Sequence, residues 1–324
     1  MSETPFTQAV GIRVPLICGP MYPCSNPELV AAVSEAGGIG IVQPISLTYV
    51  NGYDFRAGLR YIRSLTTKPI GMNALIEQSS STYRDRMEKW LTISLEEGVR
   101  FFITSLGNPR WVVDLVTPYG GVVYHDVTEA KWAEKAVAGG VHGLIGVNSR
   151  AGGHAGGQEA LALLTELGRF NLPVVAAGGV GDEGQFRAML DLGYAAVQCG
   201  TRFIATTECT ASLPYKQAIL DADAEDIVLS ERITGVPVAI IRTPYVERTG
   251  LRAGPLARAL LRGRRTKHWI RTAYALKSLW QLKRSSLDAK GSTEFWQAGK
   301  SVQGINGVES AGAIVRRFEA ALGG

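Results

Sequence analysis

Eight short apolar runs recur in the first two-thirds of the chain, and each is followed by a turn and a segment with helical periodicity. The runs are spaced by roughly 20 to 35 residues, which suits a repeating strand–helix unit. They are apolar throughout, as parallel strands are when helices cover the outer face and side chains fill the inner one. They span Val14–Cys18, Ile39–Val42, Ile70–Asn73, Phe101–Thr104, Val122–His125, Gly143–Val147, Val174–Ala177 and Ala195–Cys199. The pattern predicts an α/β fold, a closed TIM (β/α)8 barrel, with an open doubly wound sheet as the alternative.

The segments between the runs carry apolar residues at the spacing of one buried helical face. They are Pro27–Ala36, Phe55–Ser64, Thr82–Glu97, Pro109–Val116, Glu129–Ala138, Gln158–Leu167, Glu183–Leu192 and Ala211–Leu220. The period ends there, so residues 1–220 are predicted to form the barrel. Residues 221–290 are predicted to form a basic, mostly helical appendage over the barrel mouth, with helices at Leu256–Leu261 and Thr272–Leu282. Residues 291–324 are predicted to pack on the barrel and to end in the amphipathic helix Ala311–Leu322.

The composition is that of a globular protein with a large core. Of the 324 residues, 46% are hydrophobic and 19% are charged, which excludes a disordered chain. The four cysteines have no metal-ligand spacing, and no two histidines lie at ligand spacing with a carboxylate, so no metal is expected. The start of the chain lacks a secretory pattern, and no run of about 18 apolar residues occurs. We expect a soluble cytoplasmic protein, and the oligomeric state stays open, with a homodimer as one alternative.

Positive charge is concentrated in one part of the chain. The net charge is +5, and about a dozen Lys and Arg residues against two acidic residues lie between Ile241 and Lys290. Such a stretch either attracts anionic substrates or nucleic acid, or forms a solvated helical face. We expect the solvated face and no specific nucleic-acid binding.

Glycine turns follow the last two predicted strands. The seventh strand ends in Gly178-Gly179 and the eighth in Gly200-Thr201. Barrels of this type commonly bind a phosphate at this place, because glycines let its oxygens approach backbone N–H groups. The Thr201 hydroxyl and the positive end of the helix that begins near Asp182 would add to such a site. The turns therefore predict a phosphorylated ligand without identifying it.

The loop after the sixth predicted strand reads AGGHAGG over Ala151–Gly157. Its only polar side chain is the imidazole of His154, and the flanking glycines permit the close approach of a flat ligand. An imidazole that titrates near neutral pH can remove or donate a proton. His154 is therefore the predicted catalytic residue, the alternative being a structural hydrogen bond to a neighbour. His125, beside Asp126 at the end of the fifth strand, either faces the mouth or makes a structural His–Asp contact.

Seven motifs follow one another over most of the chain: Pro15–Met21, Glu28–Ile41, Gly71–Asn73, Ala151–Gly157, Pro173–Gly179, Gly200–Thr206 and Trp296–Ile305. Their order and spacing resemble those of the nitronate monooxygenase family, formerly called 2-nitropropane dioxygenases. The family also contains NAD(P)H:quinone reductases and flavin-dependent enoyl-ACP reductases. The resemblance implies a flavoprotein with FMN at the carboxyl ends of the barrel strands.

The resemblance also implies roles for individual residues. Those implied to lie against or near the flavin ring are Gly19, Pro20, Met21, Asn73, Asp126 and Gly153. Those implied to hold the FMN phosphate are Gly178, Gly179, Gly200 and Thr201. Gly299 and Gln303 would belong to a C-terminal motif beside the flavin, and His154 would match the catalytic histidine of the family.

Two positions depart from the family pattern. Cys18-Gly19-Pro20 stands where relatives often have Gln-Gly-Gly, so one amide contact and some backbone freedom are lost at Pro20. Asp126 stands where some relatives have a lysine, and it cannot neutralise a negative flavin or phosphate. These departures leave FMN as the expected cofactor and bear on the identity of the substrate.

The reaction implied by the resemblance is the oxidation of alkyl nitronates or nitroalkanes by O2 to a carbonyl compound and nitrite. The alternative is an NAD(P)H-dependent FMN oxidoreductase that acts on a quinone or an enoyl thioester. The sequence has neither a Rossmann fingerprint nor another nicotinamide-specific motif, which favours the nitronate reaction. A second alternative is a flavin-free barrel, an isomerase or lyase that uses the same phosphate site.

Overall fold

The computed structural model describes residues 3–77, 81–232, 236–252, 280–288 and 295–323. Within these ranges, eight parallel strands close into a barrel in their sequence order. They are β1 (Leu16–Cys18), β2 (Ile39–Val42), β3 (Gly71–Leu75), β4 (Phe101–Ser105), β5 (Val122–Val127), β6 (Gly143–Val147), β7 (Val174–Ala177) and β8 (Ala196–Cys199). The predicted (β/α)8 barrel is confirmed, and the open doubly wound sheet is excluded.

Helices connect the eight strands on the outside of the barrel, and further helices precede β1 and follow β8. They are α1 (Pro5–Val10), α2 (Pro27–Glu35), α3 (Phe55–Leu65), α4 (Ser81–Glu96), α5 (Arg110–Val116), α6 (Ala130–Ala138), α7 (Ala160–Gly168), α8 (Glu183–Asp191), α9 (Thr201–Ile204), α10 (Leu213–Asp221) and α11 (Pro244–Thr249), and a closing helix spans Ala311–Ala320. Turns of 3-10 helix lie at Thr117–Tyr119, Ala224–Asp226 and Lys300–Gly304, and a π-helical turn lies at Ser46–Val50. The predicted apolar faces are the buried ones; in α3 they are Phe55, Leu59 and Ile62.

The barrel interior is filled by side chains from alternate strand positions, such as Ile17 and Ile145. At the amino end, Phe6 of α1 packs edge-on against the rings of Phe101 and Tyr124, with ring centroids 5.5 Å apart in both pairs. This plug was not predicted from the sequence. Because it closes the amino end of the barrel, a site built into the barrel belongs at the carboxyl ends of the strands.

The segment after the barrel differs in part from the prediction. β9 (Ile227–Ser230) and β10 (Val238–Ile241) pair as an antiparallel ribbon inside a stretch that was predicted to be mostly helical. Both runs are rich in β-branched residues, which pack well in strands. The helix predicted at Leu256–Leu261, and most of the one predicted at Thr272–Leu282, lie outside the described residues, while residues 280–287 are helical. In the part of the chain that is described, no helix is long and apolar enough to cross a membrane.

Candidate active site

The carboxyl ends of β6 and β7 meet at two glycines. Gly178 has a φ of +114°, and a Cβ atom there would lie 2.5 Å from the backbone nitrogen of Ala151. Gly179 has a φ of +83°, and a Cβ atom there would lie 2.9 Å from the side chain of Arg150. The turn after β7 therefore packs directly on the loop after β6, and only glycine fits at either position.

The end of β8 joins the same turns through Thr201. Its hydroxyl accepts a hydrogen bond from the amide of Gly299 at 3.0 Å, and a Cβ atom on Gly152 would lie 2.9 Å from that amide nitrogen. The hydroxyl proton of Thr201 is left for another acceptor. A Cβ atom on Gly200 would approach only the Met21 side chain, at 3.7 Å. We call the residues that meet here the glycine cradle: Gly178, Gly179, Gly200, Thr201 and Gly299.

Arg150 brings positive charge to the glycine cradle. Its side chain packs on Gly179, and its Nη2 donates a hydrogen bond to Oε1 of Gln303 at 3.3 Å. Because the amide of Gln303 is neutral, this contact does not neutralise the guanidinium, which can pair with an anion. Arg150 was not predicted from the sequence. The available signal was a basic residue directly before the glycine-rich loop of β6.

Backbone amides at the amino end of α8 already donate hydrogen bonds to side chains of the same helix end. The carboxylate of Asp182 accepts a hydrogen bond from the amide of Gln185 at 2.7 Å, and the side chain of Gln185 accepts one from the amide of Gly181 at 2.7 Å. A carboxylate at this position repels a phosphate. The structure therefore does not support the expected contribution of this helix end to phosphate binding.

Three polar side chains point into the barrel from its carboxyl end. Asn73, Asp126 and Gln198 each pair in register with an isoleucine of the interior core. One oxygen of each is buried and has no hydrogen-bond partner among the described residues. Such oxygens are costly to bury, so they suit a ligand that donates hydrogen bonds. We call these three residues the inner polar set.

Gln198 was missed in the sequence analysis, although it is a polar residue inside an otherwise apolar strand. Its side chain occupies the space beside Gly19, where a Cβ atom would lie 2.9 Å away. The absence of a side chain at Gly19 therefore makes room for Gln198, which joins the ends of β1 and β8.

Neighbouring residues of β5 face opposite sides of the barrel wall. His125 is buried on the outer side, where its Nδ1 lies 2.8 Å from the hydroxyl of Thr104, and burial lowers its pKa to about 4. Asp126 faces inward, and burial raises the pKa of its carboxyl to about 7. His125 therefore does not face the mouth, and its structural contact is with Thr104 and not with Asp126 as the alternative had it.

His154 lies on the loop after β6, which packs against the glycine cradle. The preceding residue, Gly153, has a φ of +67°, and its carbonyl accepts a hydrogen bond from the amide of Ala239 in β10 at 2.7 Å. The residue as a whole is exposed to solvent, and no described residue forms a hydrogen bond with its imidazole. Desolvation by the surrounding protein lowers its pKa below the usual value. A neutral imidazole with a free nitrogen can act as a base near neutral pH.

An apolar cluster lies beside the end of β1. Its buried members are Val238, Ile240, Val246, Leu282 and Phe295, with Tyr22, Val228 and Tyr245 packed against them. Because Tyr22 directly follows Met21, the β9–β10 ribbon contacts both the first strand end and the loop that carries His154. Its partly buried members, Tyr22, Val228 and Tyr245, suit contact with an apolar part of a small molecule.

The family of the chain is decided by a sequence match over most of its length. The family described as Nitronate monooxygenase matches residues 3–289. The chain belongs to this family. It is a flavin-dependent oxidoreductase, which excludes the flavin-free barrel, and enzymes of the family act on small molecules with O2.

Relatives of this chain within and around the family carry different names. A "(3aS,4S,5R,7aS)-5-hydroxy-7a-methyl-1-oxo-octahydro-1H-indene-4-carboxyl-CoA dehydrogenase" of Mycobacterium tuberculosis is 31% identical over 264 residues, which are 80% of this chain and 72% of the relative. A nitronate monooxygenase of Pseudomonas aeruginosa is 32% identical over 273 residues, 71% of this chain and 77% of the relative.

Two solved structures resemble the whole fold. FabK from Thermotoga maritima superposes with a TM-score of 0.79 at 25% identity, and the match covers 100% of this chain and 98% of FabK. Nitroalkane oxidase from Streptomyces ansochromogenes superposes with a TM-score of 0.77 at 25% identity, covering 98% of this chain and 97% of the oxidase.

The residues at the mouth fit a flavin nucleotide. The glycine cradle and Arg150 suit a phosphate, because backbone amides and a guanidinium can all donate hydrogen bonds to it. The inner polar set suits the polar edge of a flavin ring, since its buried oxygens need hydrogen-bond donors. Gly19 and Met21 connect the two groups through Gln198 and Gly200. Pro20 between them has no amide proton to contribute.

Proposed function

We propose that the chain is an FMN-dependent enzyme that oxidises alkyl nitronates and nitroalkanes with O2 to a carbonyl compound and nitrite. One observation carries the proposal: the glycine cradle, with Arg150, and the inner polar set lie at the carboxyl end of one barrel, and the loop with His154 leaves the cradle. When bound, FMN supplies the redox chemistry, and the protein supplies position and charge.

The FMN phosphate is held by the backbone amides of Gly178, Gly179 and Gly200, the Thr201 hydroxyl and the Arg150 guanidinium. Residues 1–220 provide most of this site, while Gly299 and Gln303 complete it from residues 291–324. The β9–β10 ribbon, which belongs to residues 221–290, lies beside the mouth and helps to exclude water from it. The alkyl group of the substrate lies against apolar side chains of this ribbon.

His154 acts as the base when the substrate is a neutral nitroalkane. A nitrogen of the neutral imidazole takes the α-proton, and the imidazolium that forms stabilises the nitronate by charge. When the substrate is already a nitronate, no proton has to be removed, and His154 only positions the anion. The overall reaction converts two nitronates and one O2 into two carbonyl compounds and two nitrite ions.

The second candidate is an oxidoreductase for acyl thioesters that exchanges electrons with NADH or NADPH. It is favoured by two relatives whose names describe a carboxyl-CoA dehydrogenase, from Mycobacterium tuberculosis and Rhodococcus jostii, at 31% and 30% identity over 80% and 79% of this chain. In this reaction His154 would give a proton to the acceptor or orient it.

Anaerobic mixing separates the two candidates. The FMN-loaded enzyme is mixed in separate runs with a nitronate, with NADH, with NADPH and with an acyl-CoA, and the loss of flavin absorbance is followed. Bleaching by the nitronate, with nitrite released when O2 is admitted, supports the nitronate reaction. Rapid bleaching by a nicotinamide or an acyl-CoA, without nitrite formation from nitronates, overturns it in favour of the thioester reaction.

A further inference from the structure

The carboxyl group of Asp126 has no charged partner inside the barrel. Its register partner on β6 is Ile145, and Oδ1 is buried without a hydrogen bond from any described residue. On its own strand, His125 faces the opposite side and bonds to Thr104. Asp126 is therefore an isolated acid among apolar and neutral neighbours.

Other charged groups lie on the loops at this end of the barrel, but no described ion pair includes Asp126. They include Glu77 after β3, Glu129 after β5, Arg150, His154 and Glu159 after β6, and Asp182 after β7. Arg150 is directed to Gly179 and Gln303 instead. The pKa of Asp126 is raised by burial, with no charged residue among the causes. An unpaired buried acid of this kind favours its neutral form.

A flavin ring would bury this acid further. The polar edge of the ring carries both N–H donors and carbonyl acceptors. A carboxylate can only accept hydrogen bonds, whereas a neutral carboxylic acid also donates one. An anion would also lie unpaired against a ring that gains electrons during turnover. The protonated form of Asp126 is therefore favoured in the complex.

We propose that Asp126 binds the flavin as a neutral carboxylic acid, so that the cofactor is taken up together with a proton above neutral pH. This inference rests on the proposed function in one respect, namely that FMN is the ligand. It does not depend on the substrate. Asp126 is then a positioning residue, because the neutral acid donates a hydrogen bond from its O–H to the flavin. A neutral amide at this position could donate one from its N–H instead. A lysine here would leave a positive charge instead.

FMN affinity as a function of pH tests the proposal. The dissociation constant is measured by flavin fluorescence at pH 7 and at pH 8.5. The second pKa of the FMN phosphate is about 6, so the phosphate is largely ionised at both values. Because only the neutral acid binds, the dissociation constant of the wild type is expected to rise about tenfold over this interval. In Asp126→Asn, which is neutral at every pH, it is expected to change less than about twofold.

Proton uptake gives a second readout. At pH 8, titration calorimetry in two buffers of different ionisation enthalpy is expected to show close to one proton taken up per FMN by the wild type, and almost none by Asp126→Asn. Equal wild-type affinity at both pH values, or no proton uptake, overturns the inference while FMN binding itself stands. Failure of the wild type to bind FMN at either pH overturns the proposed function and this inference together.

Discussion

The amide of Gly299 donates a hydrogen bond to the hydroxyl of Thr201 at 3.0 Å, although the two residues are 98 positions apart in the chain. This contact joins the C-terminal segment to the end of β8 and completes the glycine cradle. The phosphate site proposed here thus depends on both the barrel and the segment that follows the appendage.

The charge of Arg150 is expected to act on the phosphate and not on the ring of the cofactor. Arg150→Met keeps most of the side-chain stem on Gly179 and removes the guanidinium. The dissociation constant for FMN should rise about 10- to 100-fold, the usual value of a hydrogen bond to a charged group. The dissociation constant for riboflavin, which lacks the phosphate, should change little. Fluorescence titrations with the two ligands measure the difference.

Arg169→Met is the matched control for Arg150→Met. Arg169 follows α7 and forms a surface ion pair with Glu134 at 2.9 Å, so its loss should leave both affinities unchanged. Equal weakening of FMN and riboflavin binding in Arg150→Met would show that the residue supports the fold of the mouth instead of contacting a phosphate.

Gly178 is expected to tolerate no side chain. In Gly178→Ala, the φ of +114° is strained and the added Cβ atom meets the backbone of Ala151 at 2.5 Å. The strain costs about 1–3 kcal/mol, so both FMN affinity and the thermal unfolding temperature should fall. Gly157→Ala is the control, because a Cβ atom there meets no other atom within 4 Å. Similar behaviour of the two variants in titration and thermal unfolding would contradict a strict requirement for glycine.

Loss of the imidazole at His154 should affect nitroalkanes and nitronates differently. In His154→Ala, turnover of a neutral nitroalkane should fall about 10²- to 10⁴-fold, because no base removes the α-proton. Turnover of the preformed nitronate should fall far less, and the FMN content should be unchanged. Steady-state rates on both forms of one substrate provide the comparison. An equal loss on both forms would argue against the role of a base.

The pH dependence of nitroalkane turnover follows from the lowered pKa of His154. A base acts in its neutral form, and a lowered pKa means that this form persists to lower pH. The value of kcat/KM should therefore fall only below the usual histidine value of about 6.5. The residual activity of His154→Ala should not show this decline of kcat/KM at low pH. A midpoint above that value, or a decline that survives in the variant, would rule His154 out as the titrating group.

Most of the barrel could be predicted because its strands are continuous apolar runs. The ends of β6 and β7 lie where the pattern placed them. The convergence of the glycine turns was also predictable, since parallel strands bring all their carboxyl ends to one mouth. The β9–β10 ribbon was missed because runs of four residues inside a basic stretch have too few positions to distinguish strand from helix periodicity.

Side-chain direction could not be predicted from the sequence in the same way. His125 and Asp126 are adjacent polar residues near the end of a strand, so one must face inward, but the pattern does not say which. Arg150 was overlooked because its contacts with Gly179 and Gln303 join distant parts of the chain. Phe6 was missed because α1 has only six residues, too few to show a buried face.

The Phe6 plug should stabilise the barrel without affecting the candidate site at its other end. The side chain is fully buried against Phe101 and Tyr124, so Phe6→Ala should lower the free energy of unfolding by about 3–5 kcal/mol in urea titrations. Phe6→Leu, which keeps most of the apolar volume, should lower it much less. FMN affinity of the folded variants should match the wild type, because the plug lies at the amino ends of the strands and the glycine cradle at their carboxyl ends. A loss of FMN affinity in proportion to the loss of stability would instead mean that the two ends of the barrel are energetically coupled.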